Sequence, residues 1–463
     1  MATMPYFVLS PATVLSLIGL ARGPDKTVPT PAEDWRTARV NVVIPALNEA
    51  ENIVHCLASV ARQTLRPEHV WIVDDGSTDG TIEEAEAFGR HIGLPLTVIK
   101  RARPIGKTPT IKRQARETDC DVEFILDGDT FLESENYIAR TVEELYKGAG
   151  VASACGTILP MRGKDRARLM ETPEFKQFVE ANQWVDVSDD RGPLRRFAHG
   201  LTNMYRECLY YYLQRFVYHG QVVFFGGITN PVGCAVAYRR KFVENLFDKY
   251  EPIFGDDLTN SEDIFIGFAL VNEGYRNTQL NDVYARSREP EIQGLRRQTY
   301  LWSSSFLQSC YYFDDLLRSP FKARKRRQKR KAETSGKDGE EIRKKRKVAE
   351  AYRQPFGADY TREYGRPLGW VYFLSAIEKI GFPTALLIMV VLQLWQPLLI
   401  TIAAETLIAI TLLGIAAPRR KTRLMLKGLI TTPIRYLMLF NDLLTIARFS
   451  IDLWITRDRK WRK

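Results

Sequence analysis

Apolar residues in the first third of the chain come as short blocks separated by stretches of helical spacing. Val40 to Ile44, broken only by Asn41, has the length and β-branched content of a buried strand. Ile53, Leu57 and Val60 then recur three to four residues apart, the spacing of one helix face. Asn48 is placed to cap that helix, with Glu51 in the reciprocal position of a capping box. Val70–Val73 predicts a second strand, Thr78–Gly89 a helix and Leu96–Ile99 a third strand. Thr108–Arg116 predicts another helix and Val122–Leu126 a fourth strand. This alternation predicts a parallel sheet with helices on both faces, whose ligands bind beyond the carboxyl ends of the strands.

Residues 151–310 continue with mixed strand and helix signals, and then the pattern changes. Between Phe382 and Ala417 the only ionisable side chain is Glu405, and the stretch is long enough for two membrane crossings broken near Gln396-Pro397. Leu424 to Ile455 carries Lys427, Arg435, Asp442, Arg448 and Asp452 every turn or two. That spacing predicts an amphipathic helix in the interface or one imperfect span. Tyr6 to Ala21 is apolar but short and has no preceding Lys or Arg, so it reads as a membrane or interfacial segment rather than a signal peptide. The expected organisation is a membrane or interfacial segment over 1–34 and a soluble domain over 35–317. A basic loop and connector over 318–368 would follow, then interface and transmembrane helices over 369–463.

Charge sharpens this picture. Of 463 residues with a net charge of +11, fifteen Lys or Arg and four Asp or Glu fall between Arg318 and Lys347, so one segment accounts for the whole excess. It lacks interleaved aromatics, which argues against a nucleic-acid partner. Positive-inside bias, with about 1 kcal/mol of lipid attraction per basic residue, puts it on the cytoplasmic side beside membrane lipid. Six scattered cysteines without a CxxC pair, and five dispersed histidines, argue against a disulfide frame or a zinc site.

Candidate chemistry starts with Asp127-Gly128-Asp129 at the end of the apolar run Phe124-Ile125-Leu126. Two carboxylates so spaced can share a divalent cation with phosphate oxygens, although the same tripeptide makes ordinary turns. Asp74-Asp75 ends the second strand, so two carboxylate clusters converge on one sheet edge. Ser261-Glu262-Asp263 precedes apolar residues at 264, 265, 268 and 271, with Gly274 as a C-cap. Asp263 is thus placed at a helix start, where free N–H groups and the dipole would hold it ionised. The simpler reading is that Glu262 and Asp263 only cap the helix. Gly255-Asp256-Asp257 is a rival acidic pair.

Together these residues resemble glycosyltransferase family 2, and within it the membrane polysaccharide synthases that make hyaluronan, chitin and cellulose. Val43 to Glu49 looks like the family's opening strand and loop, and Val73 to Thr81 its nucleotide-binding motif. Gly106-Lys107 looks like the Gly-Lys that follows, and Asp127-Gly128-Asp129 matches the metal motif. Gln298-Thr299-Tyr300-Leu301-Trp302 is similar to the QxxRW signature of processive members, with Leu301 where Arg is expected. Arg296 or Arg297, one turn earlier, could compensate. Trp302 also reads as an interfacial anchor.

The resemblance implies a GT-A (nucleotide-diphospho-sugar transferase) Rossmann-like α/β domain. It implies inverting transfer from a UDP-sugar to a growing polysaccharide, with Mg2+ or Mn2+, by a multi-pass protein of the plasma (inner) membrane whose catalytic domain is cytoplasmic. The donor would meet Pro45, Asn48, Glu49, Asp74, Asp75, Lys107, Asp127 and Gly128, with Asp129 and Asp127 on the metal. Asp263 would be the general base, with Glu262 beside it. Gly233, Cys234, Gln298 and Trp302 would meet a saccharide or lipid-linked acceptor, and other subunits of a polysaccharide export complex are compatible partners. The alternatives are transfer of a single sugar to a lipid acceptor, and a non-catalytic scaffold whose basic segment recruits partners.

Overall fold

The computed structural model describes residues 11–21, 33–147, 149–182, 184, 192–254, 261–318, 321 and 368–456. Residues 1–10, the rival pair Asp256-Asp257, the basic run over 322–347 and the connector over 352–367 lie outside the described residues.

After a first helix, α1 (Pro11–Ala21), the chain builds β1 (Val40–Ala46), α2 (Ile53–Ala61), β2 (His69–Asp74), α3 (Thr81–Ile92), β3 (Leu96–Lys100), α4 (Lys107–Glu117) and β4 (Val122–Leu126). These four strands are parallel, as the alternating pattern predicts. Side chains alternate across the sheet, so Val42 and Ile44 enter one core with α2 and α3, while Val43 enters the other with α4.

The remaining elements are β5 (Thr130–Leu132), α5 (Tyr137–Leu145), β6 (Val151–Pro160), α6 (Gly163–Met170), α7 (Pro173–Asn182), α8 (Pro193–Tyr210), α9 (His219–Phe225) and β7 (Ala235–Arg239). They are followed by α10 (Arg240–Val243), α11 (Leu246–Phe254), α12 (Glu262–Glu273), β8 (Arg276–Ser287), α13 (Ile292–Tyr312) and α14 (Asp314–Leu317). A π-helical stretch, Tyr211–Tyr218, joins α8 to α9. The eight strands form one sheet in the order β3-β2-β1-β4-β7-β6-β8-β5. β7 runs antiparallel to both β4 and β6, so the sheet is mixed rather than wholly parallel.

Two boundaries differ from the sequence pattern. α2 begins at Ile53, and Asn48 does not cap it. Instead the Asn48 N–H donates to Ser77 Oγ and its Oδ1 accepts from the Thr78 N–H, with φ of 57°. Glu51 turns away to pair with Arg288. α3 starts at Thr81 rather than Thr78, because Gly80 closes the preceding loop in the left-handed region at φ 91°.

The C-terminal part comprises α15 (Leu368–Val391), α16 (Trp395–Ala416) and α17 (Lys421–Trp454). Val371–Val391 and Trp395–Ala416 are long and apolar enough to cross a membrane, and only 28% and 33% of their apolar windows is buried inside the protein. The first begins earlier than the uncharged stretch suggests and contains Pro383. The break falls at 392–394, because Pro397 sits in the first turn of α16, where no intrahelical N–H is required.

Charges that the spacing assigned to a watery face are turned inward. The Arg435 guanidinium holds both carboxylate oxygens of buried Glu405. Lys379 pairs with buried Asp442 at 3.1 Å, and Ser303 of α13 donates to the same carboxylate. On the outer side of α17, Leu426, Leu429, Ile430, Leu437, Leu444 and Ile451 are exposed. α17 is therefore one long amphipathic helix, and part of its polar face is spent on ion pairs within the protein.

Candidate active site

Lys107 is the first residue of α4, held there by a turn whose Gly106 has φ of 96°. Asp75, at the end of β2, organises that turn. Its carboxylate accepts from the Ile105 N–H at 2.9 Å and the Gly106 N–H at 2.7 Å, and from Arg101 at 3.0 Å. Asp74 caps the Asp-Gly-Ser turn by accepting from the Gly76 and Ser77 N–H groups. The Asp75 carboxylate thus shapes the loop that delivers Lys107.

The Lys107 ammonium lies 2.6 Å from Asp127 Oδ1 and 2.6 Å from Glu262 Oε1, and donates to the Gly233 carbonyl at 3.2 Å. One cation thus joins the end of β4, the loop before β7 and the start of α12. Burial works against its charge, but Asp127 and Glu262 outweigh that and hold it well above the ordinary lysine range.

Asp263 is fixed on three sides. Its Oδ2 accepts from the Gly233 N–H at 3.1 Å, and its Oδ1 accepts from Ser261 Oγ at 2.5 Å and its helix neighbour Ile264 N–H at 2.8 Å. Gly233 is obligatory: a Cβ there would stand 2.7 Å from Asp263 Cβ and 2.9 Å from its Cγ. The helix start was expected to hold Asp263 ionised. Burial first and then the neighbouring Glu262 oppose the helix start and push its carboxyl up to about 6, which leaves it mainly ionised at neutral pH.

Asp129 accepts from Thr130 Oγ1 at 3.1 Å and Ser287 Oγ at 3.5 Å. Burial, with Glu49 and Asp127 nearby, raises its carboxyl well above the ordinary range. The same crowding, led by burial, pushes Glu49 up to about 7. Gly128 permits the crowding, since a Cβ there would lie 3.1 Å from Glu49 Cγ. Cys234 joins the cluster through its carbonyl, which accepts the Asp127 N–H at 2.9 Å. Pro45 lies in β1 opposite Val73, so it supports the loop through Asn48 and Glu49 from the strand below.

Among the described residues no three His, Cys, Asp or Glu side chains form a ready-made metal cage. The donor set nevertheless fits Mg2+ or Mn2+. Mutually repelling, half-buried carboxylates call for a cation, and such ions are usually held by one or two carboxylates together with substrate phosphates.

Gln298 and Trp302 meet on one side chain that sequence reasoning missed. Arg206 of α8, buried to 1% exposure, donates to Gln298 Oε1, lies 4.6 Å above the Trp302 ring and sits 3.3 Å from buried Glu289. Arg296 and Arg297 do not replace the Arg absent at Leu301: they line a separate cleft with Tyr300 and Arg448. Arg206 stands almost a hundred residues earlier in a helix without a motif, so local spacing gave no sign of it; its i, i+4 neighbour Tyr210 also bonds Glu289.

Residues 41–247 match the family model described as Glycosyl transferase family 2. Over that stretch, which is less than half of the chain, it is similar to family 2 glycosyltransferases, and its mixed sheet is a GT-A-like α/β arrangement. It is 22% identical over 274 residues to an N-acetylglucosaminyltransferase of Azorhizobium caulinodans, covering 58% of this chain and 60% of that relative's length. A dodecaprenyl-phosphate galacturonate synthase of Rhizobium johnstonii is 27% identical over 97 residues, 20% of this chain and 29% of the relative. A solved mannosyltransferase from Pyrobaculum calidifontis, in complex with GDP-Man and Mn2+, aligns over 96% of both chains at 15% identity and a TM-score of 0.48.

Proposed function

We propose that this protein is a membrane-bound inverting glycosyltransferase that transfers a sugar from a UDP-sugar to a growing polysaccharide at the cytoplasmic face. The observation that carries the reading is the convergence of Lys107, Asp127 and Glu262 from three separate segments into one ion-pair cluster, with Asp263 joined to it through Gly233. An ion pair built only for stability has no need of Asp129 and Glu49 crowded alongside it.

The donor diphosphate would enter beside Lys107, whose ammonium is already charged and oriented. The loop through Asn48 and Glu49 and the turn at Asp74-Asp75 would enclose the nucleoside. A divalent ion on Asp129 and Asp127 would supply charge neutralisation for the departing diphosphate. Asp263, poised at about 6, would accept the proton of the attacking acceptor hydroxyl near neutral pH. Glu262 holds Lys107 rather than facing the acceptor, which makes it a positioning residue. Trp302 would offer its ring to the acceptor sugar, with Gln298 and Arg206 keeping it in place. A single displacement of this kind inverts the anomeric centre.

The two long apolar helices and the outer face of α17 support membrane placement. Incubating the purified full chain with labelled UDP-sugars and sizing the product tests the proposal. A ladder of long chains is expected, and Asp263→Asn should abolish it. One discrete glycolipid would establish single transfer to a lipid acceptor, the alternative favoured by Leu301 in the altered signature. Transfer unchanged in Asp263→Asn would remove the base assignment.

A further inference from the structure

A cavity of about 530 Å³ lies where the second apolar helix hands over to α17, between residues 418–427 and the catalytic domain. Its cationic wall is formed by Arg162, Lys164, Arg419, Arg420, Arg423 and Lys427, with Arg286 at the back. Only two carboxylates line it, and both are engaged: Glu133 accepts from Arg286 at 2.9 Å, and Glu207 pairs with Lys427. Lys164, Arg419, Arg420 and Arg423 meet no carboxylate within ion-pair distance among the described residues. At the rim, Arg162 first and then burial, with smaller contributions from Arg420 and Arg423, lower the Lys164 ammonium below its ordinary range, while Asp165 pulls the other way.

Three features distinguish this cavity from a solvated basic face. It encloses about 530 Å³, and its cations come from three distant segments. It opens directly after Ala416, the last residue of an apolar helix. Its back wall is also shared with the reaction centre, since Arg286 lines it while the next residue, Ser287, donates to Asp129.

We infer that this cavity binds the phosphate of a membrane-lipid headgroup, seating the catalytic domain against an anionic surface. A phosphate monoester suits it better than a carboxylate, because three or more guanidinium groups converge and each can donate two parallel hydrogen bonds. Neutral lipid offers no net charge to offset the field. The inference rests on the membrane placement proposed above, but not on transfer activity.

The test uses the purified full chain in neutral detergent, with binding read calorimetrically and no sugar donor present. The probes are dihexanoyl phosphatidic acid, dihexanoyl phosphatidylcholine, glycerol 3-phosphate and inorganic phosphate. Phosphatidic acid should bind, weakening as salt rises, and Arg419→Gln/Arg423→Gln should weaken it about tenfold or more. Arg90→Gln/Arg113→Gln, which removes equal charge from exposed sites elsewhere, should leave binding unchanged. Equal losses in both double variants, or equal binding of phosphatidylcholine, would overturn the site. Equally tight binding of inorganic phosphate or glycerol 3-phosphate would overturn the lipid source. Failure of transfer with lipid binding intact would count against the enzymatic reading alone.

Discussion

The guanidinium carbon of Arg206 lies 4.6 Å from the centre of the Trp302 ring, and the same side chain holds Gln298 and buried Glu289. A cation from α8 thus stands beside both Gln298 and Trp302. Arg206→Ala should destabilise the protein by about 3–5 kcal/mol, because Glu289 would keep a buried charge without its partner. Arg206→Met/Glu289→Gln should recover most of that loss while transfer stays at least tenfold down. Thermal unfolding and kcat/KM, measured on both variants, separate the two effects.

Asp263 must be ionised to accept a proton, and its carboxyl is pushed up to about 6. Log kcat/KM should therefore rise with unit slope below about pH 6 and level off above it. The stability contribution runs the other way. A carboxyl raised from 3.8 favours folding when protonated, and that contribution is lost as pH climbs toward about 6. Asp263→Asn should thus keep the fold at neutral pH and reduce turnover by about 10²–10⁴. A flat pH profile across 5 to 7 would remove Asp263 as the base.

Gly233→Ala is a steric probe of the same carboxylate. The new Cβ would press on Asp263 Cβ at 2.7 Å and Cγ at 2.9 Å, so the carboxylate must shift. We expect kcat to fall by at least tenfold with UDP affinity nearly unchanged, read by steady-state kinetics beside direct nucleotide titration.

Lys107→Met removes the cation shared by Asp127 and Glu262. Loss of a charged donor costs about 1.5–3 kcal/mol, so UDP should bind roughly 10- to 100-fold more weakly by calorimetry. Unaltered UDP affinity would detach Lys107 from the donor diphosphate.

Chelation should stop transfer, and Mg2+ or Mn2+ should restore it. Asp129→Asn should require a higher metal concentration for half-maximal activity, whereas Asn at Asp79, which is spent on the Ala50 and Thr81 N–H groups, should not.

The parallel strands from Val40 to Leu126 were legible because each is a short apolar block with its own periodicity, a property of adjacent residues. Gly274 as a left-handed C-cap was legible for the same reason, and it is found at φ 97°. Asn48 misled because a capping residue is defined by the backbone it faces, and here that backbone is the loop at Ser77-Thr78. The charges of α17 misled in a similar way. Spacing places Arg435 and Asp442 on a helix face, but only packing reveals Glu405 and Lys379 opposite them.

By itself the sequence determined which acidic residues stand at strand ends and helix starts, since those positions follow from local periodicity and turn chemistry. Only the tertiary structure decided that Lys107 bridges Asp127 and Glu262, that Asp263 is buried enough to hold a proton up to about 6, and that Arg206 attends Trp302. Proton affinity and ion pairing depend on desolvation and on charges within a few ångströms, and those neighbours are brought together from segments far apart along the chain.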